Sequence, residues 1–207
     1  IHGLVAVFMA SILFSGKLIC PPGFNALTFF KFLKKYMPTW YSGVPTMHQA
    51  ILQRSTRNLD IIKKYPLRFI RSSSAALPKP VLKELERTFQ CSVIEAYGMT
   101  EASHQIASNP LPPELRKPGT VGKEAGPKIK IIGSNGNELP CNQVGEIIIK
   151  GKNVIKSYVK NPKANEDSFH ETWFRTGDLG LIDDQGYLTI SGRIKEIINK
   201  GGEKVSP

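Results

Sequence analysis

The chain has 207 residues, 41 % of them hydrophobic, which suffices for a packed core and excludes disordered, collagen-like and disulfide-scaffold classes. Its 28 Lys and Arg against 17 Asp and Glu leave a formal charge of +11, which favours anionic partners without choosing among nucleotides, polynucleotides and lipid surfaces. Three cysteines, Cys20, Cys91 and Cys141, lie far apart with no Cys-x-x-Cys pair; they suit a reducing compartment and are expected to pack as small buried hydrophobes.

In chain order, the apolar run over residues 4–14 is about half the ~20 residues that a membrane helix needs, and it lacks a signal peptide's basic flank and cleavage site. It reads as a buried helix. A short apolar segment at 17–20 follows, then a helix over 25–37, a strand over 39–42 and a helix over 46–53. Such alternation implies parallel strands covered by helices. Lys31, Lys34 and Lys35 recur at helical spacing and mark a solvated helix face. Residues 67–70 read as a strand, a serine-rich turn follows, and Pro78 opens a helix to Phe89 at a first-turn position that tolerates proline. The next strand is expected over 92–96. Beyond about Asn109, prolines and glycines punctuate short runs such as 128–132 and 146–150, the texture of a turn-rich antiparallel subdomain. Asp183-Asp184-Gln185-Gly186, between apolar runs at 179–182 and 187–190, signals a hairpin. There is no internal repeat, low-complexity tract or heptad pattern. The chain starts at Ile1 and stops at Pro207 in a patterned stretch, so it is expected to be a piece of a longer polypeptide.

Tyr97-Gly98-Met99-Thr100-Glu101 follows one expected strand, and Ser72-Ser73-Ser74-Ala75-Ala76-Leu77 follows another. Loops at the carboxyl ends of parallel strands are where such sheets bind ligands. A tyrosine ring can stack on a base, a threonine hydroxyl can donate to phosphate, and a glutamate can hold Mg2+. The plainer alternative is a helix-starting Thr with a Glu in the first turn. Further on, Asp178 sits in a Gly-flanked turn of Trp173-Phe174-Arg175-Thr176-Gly177-Asp178, where its carboxylate can accept two ribose hydroxyls, and Arg193 can donate to the same sugar or a phosphate. A turn aspartate with a surface ion pair is the alternative.

Taken together, AYGMTEAS, GEIIIKG, WFRTGD and GRIKEIINKGGEKVSP resemble, in order, the blocks of the adenylate-forming superfamily of acyl-CoA synthetases, luciferases and peptide-synthetase adenylation domains. FIRSSSAALPKPVL, EAYGMTEASHQIASNPLP and RKPGTVGK look most like the group of oxalate-CoA ligases and peroxisomal acyl-CoA synthetases. The resemblance implies an α/β fold: a layered α/β large domain over 1–194 with a turn-rich β subdomain, truncated at the hinge and first residues, 195–207, of a small carboxy-terminal domain. It also implies an AMP-forming acid-CoA ligase, in which a carboxylate attacks the ATP α-phosphate to give acyl-adenylate and pyrophosphate, and CoA then displaces AMP. Two anions must meet in that reaction, so a metal and fixed donors offset their repulsion.

Carried over by position, the resemblance implies that Tyr97 stacks on adenine, Thr100 contacts the phosphate, and Glu101 coordinates Mg2+. Asp178 would take the ribose hydroxyls and Arg193 support ribose and phosphate. Ser74, Ala75, Glu95 and Ala96 would line the nucleotide, Lys195 would be the hinge, and Gly201 and Gly202 would approach CoA. Two features depart from the pattern: the usual Gly-Gly-Ala adenine loop appears as Ser73-Ser74-Ala75, and the phosphate loop and distal catalytic lysine are not in these residues, so the chain alone should not adenylate efficiently.

Ser74 and His104, the latter placed on a helix after Glu101, occupy the expected acyl neighbourhood, with His2 near its edge. A hydroxyl and an imidazole suit the second carboxylate of a short diacid, and oxalate fits best. Medium- or long-chain and aromatic acids stay open. From other classes, a basic nucleic-acid-binding module and an inactive nucleotide-binding remnant compete, although no helix-turn-helix, zinc knuckle or RNP-type strand is present and nucleic acid is not expected. No membrane span is expected, and the address stays undecided between cytosol and peroxisome, since that signal would lie at an extreme carboxyl terminus.

Overall fold

The computed structural model describes residues 1–194, 198–200 and 203–205, the last two stretches by backbone alone. They fall into two compact units, Ile1–Tyr97 with Asn109–Gly119, and Gly98–Ser108 with Thr120–Pro207. The architecture is α/β, as expected.

The first unit is built on three parallel strands, β1 (Trp40–Gly43), β2 (Phe69–Ser72) and β3 (Ser92–Tyr97), with β2 in the middle. Helices α2 (Ala26–Tyr36), α3 (Pro45–Ser55), α4 (Leu59–Lys64) and α5 (Lys79–Phe89) supply the cover. The side chain of Asn25 caps α2 by accepting from Leu27 N at 2.8 Å. Phe30, Leu33, Ile51, Leu82, Leu85 and Phe89 from these helices meet Ile70 and Val93 of the strands in one apolar core. Lys31, Lys34 and Lys35 are exposed on α2, as their spacing predicts.

Several expectations are corrected here. Strand β2 runs two residues later than 67–70, because Arg71 and Ser72 complete the ladder against Ser42 and Gly43 of β1. Pro78 flanks α5 rather than opening it; the proline inside the first turn is Pro80. The run at 4–14 forms a π-helix (His2–Met9) continued by α1 (Ala10–Leu13), with no residue of either buried. Being apolar all round, it would need cover on every side, and Leu13 and Phe14 remain 75 % and 87 % exposed. Of the cysteines only Cys91 packs against the core, whereas Cys20 and Cys141 are exposed.

The second unit opens with β4 (Ala107–Ser108) paired to β5 (Lys123–Glu124). Its main sheet is antiparallel, in the order β10-β9-β7-β6: β6 (Lys128–Ile132), β7 (Gly145–Lys150), β9 (Trp173–Ile182) and β10 (Leu188–Arg193), with β8 (Phe169–His170) added to β9. Helix α6 (Pro162–Ser168) precedes β8. The hairpin at Asp183–Gly186 forms as read: the Asp183 carboxylate accepts from Gln185 N and Tyr187 N at 3.0 and 2.8 Å, and Gly186 takes φ +82°. Strands β11 (Ile198–Lys200) and β12 (Glu203–Val205) pair antiparallel. Among the described residues, no helix is long and apolar enough to cross a membrane.

Candidate functional site

In the first unit the chemistry gathers where the parallel strands end. Ser73 N donates to Gly43 O, drawing the Ser73–Leu77 loop over the end of β1. Ser72 and Ser73 are buried, and their hydroxyls have no partner among the described residues. Ser74 and Ala75 are exposed. Ser74 takes φ +74°, a conformation that glycine adopts without strain, which accounts for the family pattern's glycine at a position where this chain carries a hydroxyl.

That hydroxyl is used. His2 Nδ1 lies 3.0 Å from Ser74 Oγ, while His2 Nε2 lies 2.7 Å from Ser42 Oγ and 3.1 Å from the Arg71 guanidinium. Burial and then the Arg71 charge hold the His2 imidazole down at about 4, so it is neutral at pH 7. Burial also lowers Arg71 itself, to about 10. Neither Arg71 nor Ser42 was singled out from the sequence. A cavity of about 430 Å3, lined by Phe29, Leu33, Trp40, Tyr41 and Ile51 among others, shares Ser42 with this cluster.

Strand β3 carries Glu95 and Ala96, both buried, and ends at half-buried Tyr97. Glu95 Oε2 accepts from Gly119 N at 2.8 Å, and burial raises its carboxyl above the ordinary range, with the Gly119 amide opposing.

In the second unit Thr100, exposed, starts a single 3-10 turn (Thr100–Ala102). Half-buried Glu101 follows it. His104 lies past this turn rather than on a helix: Ser103 and His104 take φ +49° and +78°, and His104 N bonds back to Met99 O at 2.9 Å. The loop closes so tightly that a β-carbon on Gly98 would overlap the His104 carbonyl oxygen, which is why glycine stands there. His104 is buried.

A second segment holds this loop. Ile155 N donates to Glu101 O at 2.8 Å, the Asn153 amide donates to Ala102 O and Gln105 O, and the Tyr158 phenol donates to Glu101 Oε1 at 2.9 Å. Desolvation first, then that carboxylate, push the Tyr158 phenol up to about 12, so it stays a protonated donor. Tyr158 lies outside every motif read from the sequence; the Asn161-Pro162 helix start just after it, an N-cap followed by a first-turn proline, is the signal that would have drawn attention there.

Asp178 and Arg193 come together on neighbouring strands. Asp178 is not in a turn but in β9, where Thr176, Gly177 and Asp178 face the single residue Ile147 of β7 and Gly177 takes φ +71°. Thr176 Oγ1 donates to Ile147 O at 2.7 Å and accepts from Asp178 N at 3.1 Å, bracing the irregularity. On the other side, the β9–β10 register slips by one between Ile190 and Gly192, so Ser191 is bulged out and Arg193, rather than Gly192, opposes Asp178. Arg193 Nε then donates to the buried Asp178 carboxylate at 2.6 Å while its own side chain stays 55 % exposed. Lys195, Gly201 and Gly202 lie outside the described residues.

A family model described as AMP-binding enzyme matches residues 1–159. The chain is 46 % identical to an oxalate-CoA ligase of Saccharomyces cerevisiae, covering all of this chain and 38 % of that protein. It is 47 % identical to an oxalate-CoA ligase of Arabidopsis thaliana, covering all of this chain and 41 % of that one. Among solved structures, ATP-bound MatB from Rhodopseudomonas palustris superposes with a TM-score of 0.90 at 32 % identity, over the whole of this chain and 40 % of that chain. The chain thus spans about two fifths of the length of the curated relatives it matches.

Proposed function

The chain belongs to the AMP-binding enzyme family, and from that premise we propose that the protein is an AMP-forming acid-CoA ligase whose favoured acid is oxalate. The observation that carries the reading is the Asp178–Arg193 pair, set by a one-residue bulge so that a buried carboxylate and a solvent-facing guanidinium are adjacent. A carboxylate accepts both hydroxyls of a ribose, and a guanidinium beside it donates to sugar or phosphate, the two functions AMP requires.

By position in the family's blocks, Tyr97 stacks on adenine, Ser74, Ala75, Glu95 and Ala96 line the nucleotide, and Thr100 donates to the phosphate. Glu101 would hold Mg2+, which supplies charge neutralisation to the polyphosphate when bound. The donors fit that ion. Glu101 has one oxygen engaged by Tyr158, and no group of three His, Cys, Asp or Glu among the described residues forms a cage of its own, as suits a cation held by a carboxylate and substrate phosphates. Residues 1–194 are read as the large domain and 195–207 as the hinge, at Lys195, and the start of a small domain, with Gly201 and Gly202 near CoA.

For the acid, Ser74 and His104 are proposed to hydrogen-bond the second carboxylate of oxalate, a choice supported by the two oxalate-CoA ligases among the relatives. The largely apolar 430 Å3 cavity beside Ser42 favours a second reading, in which a longer or aromatic acid is activated. ATP–pyrophosphate exchange by the complete gene product, driven in turn by oxalate, malonate, acetate, coumarate and palmitate, separates them. Exchange with oxalate is expected to dominate; exchange with palmitate or coumarate alone removes oxalate in favour of the second reading, and none with any acid removes the ligase.

A further inference from the structure

We propose that Tyr158 is a positioning residue for the metal ligand, holding one oxygen of the Glu101 carboxylate so that the other is presented to the cation that accompanies the nucleotide. The proposal rests on the reading of Glu101 as the magnesium ligand. Its basis is a set of bonds within one unit. The Tyr158 hydroxyl donates to Glu101 Oε1 at 2.9 Å, and the Glu101 backbone carbonyl is fixed by Ile155 N at 2.8 Å, so one segment grips both ends of the residue. Tyr158 is itself pinned by a reciprocal pair: its N donates to Asn165 Oδ1 at 2.6 Å and its O accepts from Asn165 Nδ2 at 3.0 Å. Asn165 belongs to α6, whose start is capped by Asn161 through Ala164 N at 3.1 Å.

The choice of a phenol is chemically apt. A glutamate left to rotate would surrender side-chain freedom on coordinating a cation, and a prior hydrogen bond removes part of that loss. A lysine or arginine in place of the phenol would fix the carboxylate equally well but would oppose the incoming cation with its own charge. Glu101 has no other hydrogen bond or ion pair from its carboxylate among the described residues.

The test is Mn2+ binding to the complete gene product saturated with α,β-methylene-ATP, whose α–β bridge cannot be cleaved, with the bound ion read by electron paramagnetic resonance and metal-free nucleotide affinity read by calorimetry. Tyr158→Phe is expected to weaken Mn2+ about tenfold, the low end for loss of a ligand's hydrogen-bond partner, with metal-free nucleotide affinity unchanged. Asn165→Ala should weaken it less, and Glu101→Gln more than either. Wild-type Mn2+ affinity in Tyr158→Phe beside a weakened Glu101→Gln overturns the positioning role alone. Wild-type affinity in Glu101→Gln overturns the assignment of Glu101 and the proposal with it. Should Tyr158→Phe not fold, Asn165→Ala decides, and unchanged Mn2+ affinity there overturns the proposal.

Discussion

Arg71 donates to Nε2 of His2 at 3.1 Å, and because a guanidinium has donors only, that nitrogen must carry the imidazole lone pair. The proton of the neutral ring therefore sits on Nδ1 and is donated to Ser74 Oγ, 3.0 Å away. With its oxygen accepting, the Ser74 hydroxyl has its own hydrogen to offer an anion. Arg71→Met leaves only the Ser42 hydroxyl at Nε2 and should weaken this polarity: the apparent KM for the acid is expected to rise about tenfold, as for loss of a hydrogen bond to a charged group, with KM for ATP little changed. Exchange kinetics measure the first effect, and 15N shifts of His2, moving from a single Nδ1–H tautomer to a mixture, measure the cause. An unchanged tautomer and unchanged KM would show Arg71 to be a packing residue.

The bulge at Ser191 is a second point where one residue carries the geometry. The bulge sets Arg193 opposite Asp178, and Arg193→Met keeps the strand pair while removing the guanidinium from that carboxylate. Adenylation is expected to fall by about two orders of magnitude through loss of a charge-assisted bond, with far-ultraviolet circular dichroism preserved because the strand pair itself survives. An Arg193→Met variant with normal exchange activity would show that the pairing is dispensable.

How far the sequence revealed these features depends on what kind of information each needs. Helices α2, α3 and α5 were legible because apolar residues such as Phe30, Leu33, Leu82, Leu85 and Phe89 recur at helical spacing beside a recognisable cap or proline. The end of β2 was not, since Arg71 and Ser72 are polar and read as loop, whereas the structure buries them at the carboxyl end of the strand. Asp178 and Arg193 were legible as residue types within motifs. Their ion pair was read only as the alternative to a ribose role, and the register that sets them opposite was not legible, because a bulge is a property of two strands in register and neither strand's sequence contains it alone. Tyr158 was missed because a lone aromatic in a polar stretch has no periodicity.

Ser74 sets stability against function. Its φ of +74° places a β-carbon in the left-handed region, at a cost of about 1 kcal/mol relative to glycine. Ser74→Gly should therefore raise the denaturation midpoint slightly or leave it unchanged, since the relief of strain is offset by the greater freedom of the unfolded chain. The same change removes the hydroxyl bonded to His2, so oxalate-driven exchange should drop about tenfold while ATP affinity holds. Equal losses in oxalate and ATP binding would place Ser74 in the adenine loop only.

His48 makes the fold sensitive to acid. It is fully buried in α3, with Nδ1 3.0 Å from the Tyr41 hydroxyl, and burial holds its imidazole at about 4 instead of 6.5, with the nearby Gly43 backbone opposing. Because the folded value is the lower one, the unfolded chain takes up a proton first as pH falls. Stability is then fully present above about 6.5 and declines progressively down to about 4, with a total on the order of 3 kcal/mol for this group. His2 titrates over the same window and adds in the same direction. Urea midpoints of the complete gene product at a series of pH values between 7.5 and 4 should show this fall, and His48→Gln, which keeps a polar side chain but cannot titrate, should flatten it even if it lowers the midpoint overall. A pH dependence identical in His48→Gln and wild type would assign the acid sensitivity to other groups.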